Sequence, residues 1–250
     1  MTTAPEFEGS SRPWSRRAVL GAGAACTLVY LGGCASSSRT SAALPGPVAQ
    51  GIDPPPTALP PPTPAPVSAA LEGLDVRPRS AWTSAGVARP LNIKPMRGIE
   101  RITVHHDGMN AFTSTSDADA ARRLENIRRA HLGRVSRAGE PWADIGYHYA
   151  VDPSGRVWEA RSLDYQGAHV DGKNEHNIGI VMLGNYDKQA PNRAQEAALE
   201  AIVAAQMRRH RIPLARVFTH QELDRTACPG STLQRLMLSA RSAGGVLARA

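Results

Sequence analysis

Cysteine is scarce in this chain. It has three, Cys26, Cys34 and Cys228, and the first two sit inside or at the edge of an N-terminal targeting segment. The folded part therefore keeps one thiol, which excludes an internal disulfide framework. Long hydrophobic runs are lacking as well. The uncharged run from Ala18 to Leu31 has 14 residues, short of the about 20 that a spanning helix needs. No internal repeat is visible. Lys and Arg exceed Asp and Glu by 29 − 22 = 7, but the basic residues are scattered rather than striped along one helix. Nucleic acid is therefore not an expected partner. Attraction to an anionic polymer or membrane surface accounts for the excess at least as well.

The N-terminal 34 residues read as an export signal. Arg16-Arg17 is a twin-arginine pair ahead of the apolar run, which closes in Leu31-Gly32-Gly33-Cys34. That ending resembles a bacterial lipobox, in which Cys34 would be lipidated and become the new N-terminus, anchoring the chain to a membrane. An ordinary cleaved signal or a short uncleaved anchor is the plainer alternative. Residues 35–70 read as a linker: Ser36-Ser37-Ser38 is flexible, and ten of the 22 residues from Pro45 to Pro66 are proline. Such a tract extends by roughly 3.1 Å per residue as polyproline II and would hold a domain off the membrane. An exported lipoprotein at the cell envelope, facing the periplasm or wall, is the expected location.

The remaining 71–250 form one domain, with 42 % hydrophobic residues in the whole chain and length for a single core. Its globular part is expected to start near Leu74. Arg101–His106 alternates as a strand, with Ile102, Val104 and His106 on one face and Arg101, Thr103 and His105 on the other. Ser116 to Leu132 reads as a helix capped by Ser116, with Leu124, Ile127 and Ala130 or His131 along one side. Gly146–Val151, the turn Asp152–Gly155 and Arg156–Glu159 make a hairpin. Ile178–Leu183 is apolar throughout, as a central strand covered on both faces should be. Asn192 caps a helix reaching about Arg211, stopped by Pro213. Arg216–His220 is a short strand, and a last helix starts near Thr232. Strands interleaved with helices give an α/β class, a central mixed sheet flanked by helices.

Two residues suggest chemistry. His220 and Cys228 stand eight positions apart, and a lone thiol in an oxidising compartment is a liability unless a metal holds it as thiolate. Catalytic zinc needs three protein ligands and one open position. His105, on the polar face of its strand, is a candidate third ligand, whereas His106 turns the other way. On residue type and spacing alone, each of these is as readily a structural histidine or thiol.

A larger pattern surrounds them. Arg79-Ser-Ala-Trp82, Val104-His105-His106, Asp144-Ile-Gly-Tyr147-His-Tyr, Gly155-Arg-Val-Trp-Glu-Ala-Arg161, Gln166-Gly-Ala-His169, Asn177-Ile-Gly-Ile-Val-Met-Leu-Gly-Asn185 and His220 to Gly230 follow in order. Together, over about residues 76–235, they resemble the peptidoglycan recognition protein and type 2 N-acetylmuramoyl-L-alanine amidase family, which includes phage lysozyme-type amidases.

That resemblance implies a single Zn²⁺ on His105, His220 and Cys228, and a catalytic tyrosine at Tyr147. Thr226 matches a position where some members carry lysine and would donate a hydrogen bond to the oxyanion. His169 and Asn177 match groove positions that contact substrate. His106, His148, Glu222 and Asp224 are expected to be structural or to orient ligands. The implied reaction is cleavage of the amide between N-acetylmuramic acid and L-alanine in peptidoglycan or muropeptides, by a monomer. The rivals are a non-catalytic peptidoglycan-binding module on the same fold and a lipoprotein with a structural zinc. Structural sites usually close with four protein ligands, and the domain holds no second thiol. Many members have Thr or Ser after the His-His pair, where this chain has Asp107. Recognition-type members often have a disulfide after that strand, and this chain has no cysteines for one.

Overall fold

A computed structural model describes residue 71 and residues 73–250. The expected signal at 1–34, the linker at 35–70 and Cys34 lie outside the described residues. In chain order the elements are β1 (Val76–Arg77), β2 (Arg101–His106), α1 (Asp117–Leu132), β3 (Tyr149–Val151), β4 (Val157–Glu159), β5 (Asn177–Met182), α2 (Arg193–His210), β6 (Val217–Thr219) and α3 (Ser231–Arg241). The strands form one six-stranded sheet in the order β1-β4-β3-β5-β2-β6. Its β3–β4 hairpin pairs antiparallel and the other neighbours pair parallel, so the sheet is mixed, as expected.

Each face of the sheet has its own apolar layer. Ile102 and Val104 of β2 and Ile178, Ile180 and Met182 of β5 pack with Leu199, Ile202 and Val203 of α2 and Leu233 and Met237 of α3. Val181, Leu183, Ala150 and Trp158 face the other way, toward Leu124 and Ile127 of α1. The unbroken apolar run of β5 follows from burial on both faces. Along β2 the alternation is asymmetric. Its odd positions, Thr103 and His105, are buried polar groups, and the chemistry gathers over them.

The helix ends follow local rules. Ser116 accepts from the Asp119 N–H at α1, and His131 rather than Ala130 completes its buried side. At α2, Asn192 and Gln195 exchange side-chain bonds with each other's backbone N–H, an arrangement worth on the order of 1 kcal/mol. This helix ends at His210, where Arg211 adopts φ 54° and returns its N–H to the Arg208 and Met207 carbonyls. The stop therefore precedes Pro213. The core also begins earlier than Leu74, since Leu71 is buried within it.

The hairpin strands are shorter than their alternation suggests. Gly146 lies so close to the Ala168 carbonyl that a Cβ would sit 2.2 Å from its oxygen. The Ala168 N–H binds the Gly146 carbonyl, and the Gly146 N–H binds His131 Nδ1. The Gly146 backbone is thus engaged elsewhere, while the His148 and Tyr147 carbonyls still accept from the Ala160 and Arg161 N–H groups just beyond the paired strands.

Two buried histidines tie this segment down. His131 Nδ1 accepts from the Gly146 N–H at 2.9 Å. His148 Nδ1 accepts from the Gly179 N–H at 2.9 Å, and its Nε2 lies 3.0 Å from the Tyr165 carbonyl. Burial lowers both pKa values from 6.5, to about 3 for His131, where Arg134 and Arg161 add to the effect, and to about 4 for His148. With the folded pKa below the unfolded one, the unfolded chain binds more protons between those values. The stability these rings contribute is full above about pH 6.5 and is lost as pH falls toward 4 and 3. In chelator-treated protein the urea midpoint should therefore fall between about pH 7 and about pH 5, before carboxylates titrate. His131→Gln should reduce that slope. A wild-type midpoint that is flat over this range would contradict the argument.

Candidate metal centre

Strand register brings the first two donors together. Residue Val104 of β2 lies opposite Thr219 of β6, so His105 and His220 leave adjacent strands side by side, with ring centroids 4.7 Å apart. The chain then turns through a short 3-10 segment. Its entry is fixed by Glu222, which accepts from the Thr219 N–H at 2.7 Å and pairs with Arg241 of α3 at 2.6 Å. Gln221 N–H donates to the Cys228 carbonyl at 2.9 Å and closes the loop. Cys228 Sγ thereby comes 3.6 Å from His105 Nδ1 and accepts from the His106 N–H at 3.4 Å.

His105, His220 and Cys228 are the only group of three His, Cys, Asp or Glu among the described residues whose donor atoms converge. Those atoms lie within 4.8 Å of one another. Ligands about 2.0–2.3 Å from a tetrahedral zinc sit a little over 3 Å apart, so two imidazoles and one sulfur at this spacing fit such an ion. The electrostatics agree. Burial pushes the Cys228 thiol up to about 12, against the opposing His106 N–H bond, so without a cation it stays protonated and a poor nucleophile. Burial lowers His105 and His220, leaving neutral rings with lone pairs to offer.

The other candidates fall into three groups. Tyr147 is partly exposed, with its ring 5.2 Å from that of His105. Burial first, and Cys228 second, raise its pKa, which keeps the phenol protonated as a donor. Thr226 Oγ1 accepts from the Cys228 N–H at 3.2 Å, and its own O–H remains available. His169 contacts His105, with Nδ1 3.0 Å from Nε2. Asn177 is not in the groove. It is fully buried, its Oδ1 accepts from Thr103 Oγ1 at 2.9 Å and its Nδ2 donates to the Lys173 carbonyl at 2.8 Å. The expected substrate contact by this side chain is corrected accordingly: both ends of its amide are engaged beneath the surface.

A groove of about 550 Å³ runs away from His220 and His169, walled by Trp142, Arg134, Arg137, Gln166 and Asp171. The size suits a small ligand or peptide segment. Arg134 lies over the Trp142 ring at 5.4 Å, and Arg137 joins Asp171 at 3.1 Å to Asp224 at 3.0 Å. Gln166 stands in one of the motifs above, whereas no local pattern distinguishes Arg134, Arg137, Trp142 or Asp171 from ordinary surface residues. Asp107 also proves to be structural. Its side chain is 1 % exposed, pairs with Arg123 at 2.6 and 3.0 Å and accepts from the Gly184 and Met109 N–H groups. His106 faces the core side, where its Nδ1 accepts from the Tyr186 N–H.

Known proteins share this arrangement of chain. The family model described as N-acetylmuramoyl-L-alanine amidase matches residues 95–231. The sequence is 29 % identical over 176 residues to the N-acetylmuramoyl-L-alanine amidase of Sus scrofa, covering 65 % of this chain and 26 % of that protein. This chain thus matches about a quarter of the pig protein's length. It is 27 % identical over 165 residues to peptidoglycan-recognition protein SC2 of Drosophila melanogaster, covering 66 % of this chain and 85 % of that one. The solved structure of bumblebee PGRP-SA aligns with a TM-score of 0.56 at 26 % identity, covering 66 % of this chain and 94 % of that chain.

The Asp107–Arg123 pair yields a stability test. Removing one partner of a buried pair leaves an uncompensated charge, typically at about 3–5 kcal/mol. Asp107→Ala should lower the urea unfolding free energy by about that amount, whereas Asp107→Leu with Arg123→Met should recover part of it. A single-variant loss below about 1 kcal/mol, the level of an exposed pair, would mean that the contact is not load-carrying.

Proposed function

This chain belongs to the N-acetylmuramoyl-L-alanine amidase family, and from that premise we propose that it is a zinc-dependent hydrolase of peptidoglycan. The family supports peptidoglycan binding or amidase activity. The proposal is the narrower one: the bond cut joins N-acetylmuramic acid to the L-alanine of the stem peptide. The observation that carries it is the convergence of His105, His220 and Cys228 within 4.8 Å, with the Tyr147 ring beside His105, and with His220 also lining the groove.

His105, His220 and Cys228 would hold the ion, which when bound supplies an activated water at neutral pH and polarises the scissile carbonyl. The remaining work falls to the chain. The groove receives the stem peptide and sets the amide beside the donors. Tyr147, kept protonated by burial, donates a hydrogen bond to the oxygen on which negative charge develops. Thr226 is fixed by the Cys228 N–H and offers its own proton to the same oxygen. The proposal extends to the reading of residues 1–34: lipid on Cys34 tethers the domain to a membrane of the envelope.

Incubating the protein with muropeptides should release free stem peptide, seen by mass spectrometry, and a chelator should stop it until zinc is restored. Cys228→Ser should abolish release. Tyr147→Phe should lower kcat by about 10²–10³-fold with binding retained. Muropeptide bound but never cleaved, under zinc and across stem types, would instead identify a non-catalytic binder. Cys34→Ala should move the protein out of the membrane fraction, and unchanged fractionation would remove the lipid anchor.

A further inference from the structure

We propose that His169 is a positioning residue that fixes which nitrogen of His105 faces the metal. The proposal rests on the zinc reading above and assigns His169 a task other than the substrate contact expected of it.

A chain of hydrogen-bond polarities runs from the Asn177 carbonyl through His169 to His105. His169 Nε2 lies 3.1 Å from the backbone carbonyl of Asn177. A carbonyl only accepts, so Nε2 carries the proton. Both rings are buried, and neither has a carboxylate among its hydrogen-bond partners. An unpaired imidazolium there would be costly, so each ring is neutral. A neutral His169 with its proton on Nε2 presents a lone pair at Nδ1. That lone pair lies 3.0 Å from His105 Nε2, which must therefore donate. His105 is then left with its lone pair on Nδ1, the atom that lies 3.6 Å from Cys228 Sγ. The other tautomer of His105 would put a proton where the ion must bind.

The ring that enforces this is itself held. A Cβ on Gly167 would come within 2.3 Å of His169 Cδ2, and one on Gly179 within 2.6 Å. The glycines make the slot in which the ring stands edge-on to His105, with an interplanar angle of 84°. Asn174 Oδ1 accepts from the His169 and Val170 N–H groups at 2.8 and 2.9 Å. Asn177, whose carbonyl starts the chain, is pinned through its side chain to Thr103 and Lys173. A ligating histidine commonly donates its second N–H to a carbonyl or carboxylate. Here a second imidazole stands between the ligand and the carbonyl and passes the polarity on.

The test measures metal binding in the intact protein. Zinc affinity is read by competition with a chromophoric chelator, the ligand field by the visible spectrum of bound cobalt(II), and folding of the chelated protein by its thermal midpoint. His169→Asn keeps an acceptor near the position of Nδ1, whereas His169→Leu removes it. His169→Leu should weaken zinc binding by about 10–100-fold and alter the cobalt spectrum. His169→Asn should stay within a few-fold of wild type. Should the leucine variant fail to fold, His169→Gln, which reaches toward Asn177 but offers nothing at Nδ1, replaces it in the comparison. Equal zinc affinity in wild type and the acceptor-less variant would overturn the proposal, as would an asparagine variant as weak as that one. A wild-type protein that binds no zinc would overturn the metal reading itself, a result distinct from either of these.

Discussion

The candidate site depends on the register of β2 between its two parallel neighbours. Ile102 and Val104 are fully buried on the α2 and α3 side, and a slip of one residue would exchange them for Thr103 and His105. Burying those polar groups in an apolar layer would be costly, so the apolar residues of β2 fix the direction of its ligand. The pairing of Val104 with Thr219 then sets where β6 releases His220. The closure from Gln221 to Cys228 sets where the sulfur returns. Strand register thus places His105 beside His220, and the loop closure brings the Cys228 sulfur to both.

On the face opposite the α2 layer, a polar patch around Thr103 and His105 lies beside the apolar layer of Val181, Leu183 and Trp158, and its groups are paired. Thr103 binds Asn177, Asn177 binds Lys173 and His169, and His169 binds His105. Thr103, Asn177, His169 and His105 are buried, so deleting one would strand its neighbour, which makes such networks rigid when complete. Glycine supplies the room. At 167 and 179 the absent side chains are what allow an imidazole to lie against two segments of backbone. For the proposed zinc site such rigidity would have a chemical use: His105, held in one orientation and one tautomer, would need no ordering on metal binding.

Much of this was legible in the sequence. The alternation Ile102, Thr103, Val104, His105 already separated the ligand from the core, and Ser116 and Asn192 marked two helix starts. The lone thiol, with no partner cysteine in the domain, singled out Cys228, which lies beside His105. Asn177 was misread as a groove residue because a motif preserves residue type without stating which way a side chain points. Its neighbour in β2, Thr103, is 74 positions away, and nothing local reports that bond. The same holds for Arg137 with Asp171 and Asp224, and for His131 with Gly146. The hairpin alternation extends to Gly146, but the close approach of Ala168 takes that residue's backbone out of the pairing, which periodicity alone does not report.

Asp107 shows how a departure from the family pattern is accommodated. A hydroxyl at this position has one proton and two lone pairs, whereas a carboxylate offers about four acceptor sites. Asp107 uses them on two bonds from Arg123 and on the backbone N–H groups of Gly184 and Met109. Arg123 also donates to the Asn110 carbonyl and lies over the Phe112 ring at 5.3 Å. The segment that follows the ligand strand is therefore bound to α1 and to the end of β5 by charge and hydrogen bonds. No cysteine is available there for a covalent link. A buried pair of this kind adds little net stability over an apolar substitute, but its geometry admits one arrangement. What the loop gains is a fixed position beside His105 and His106.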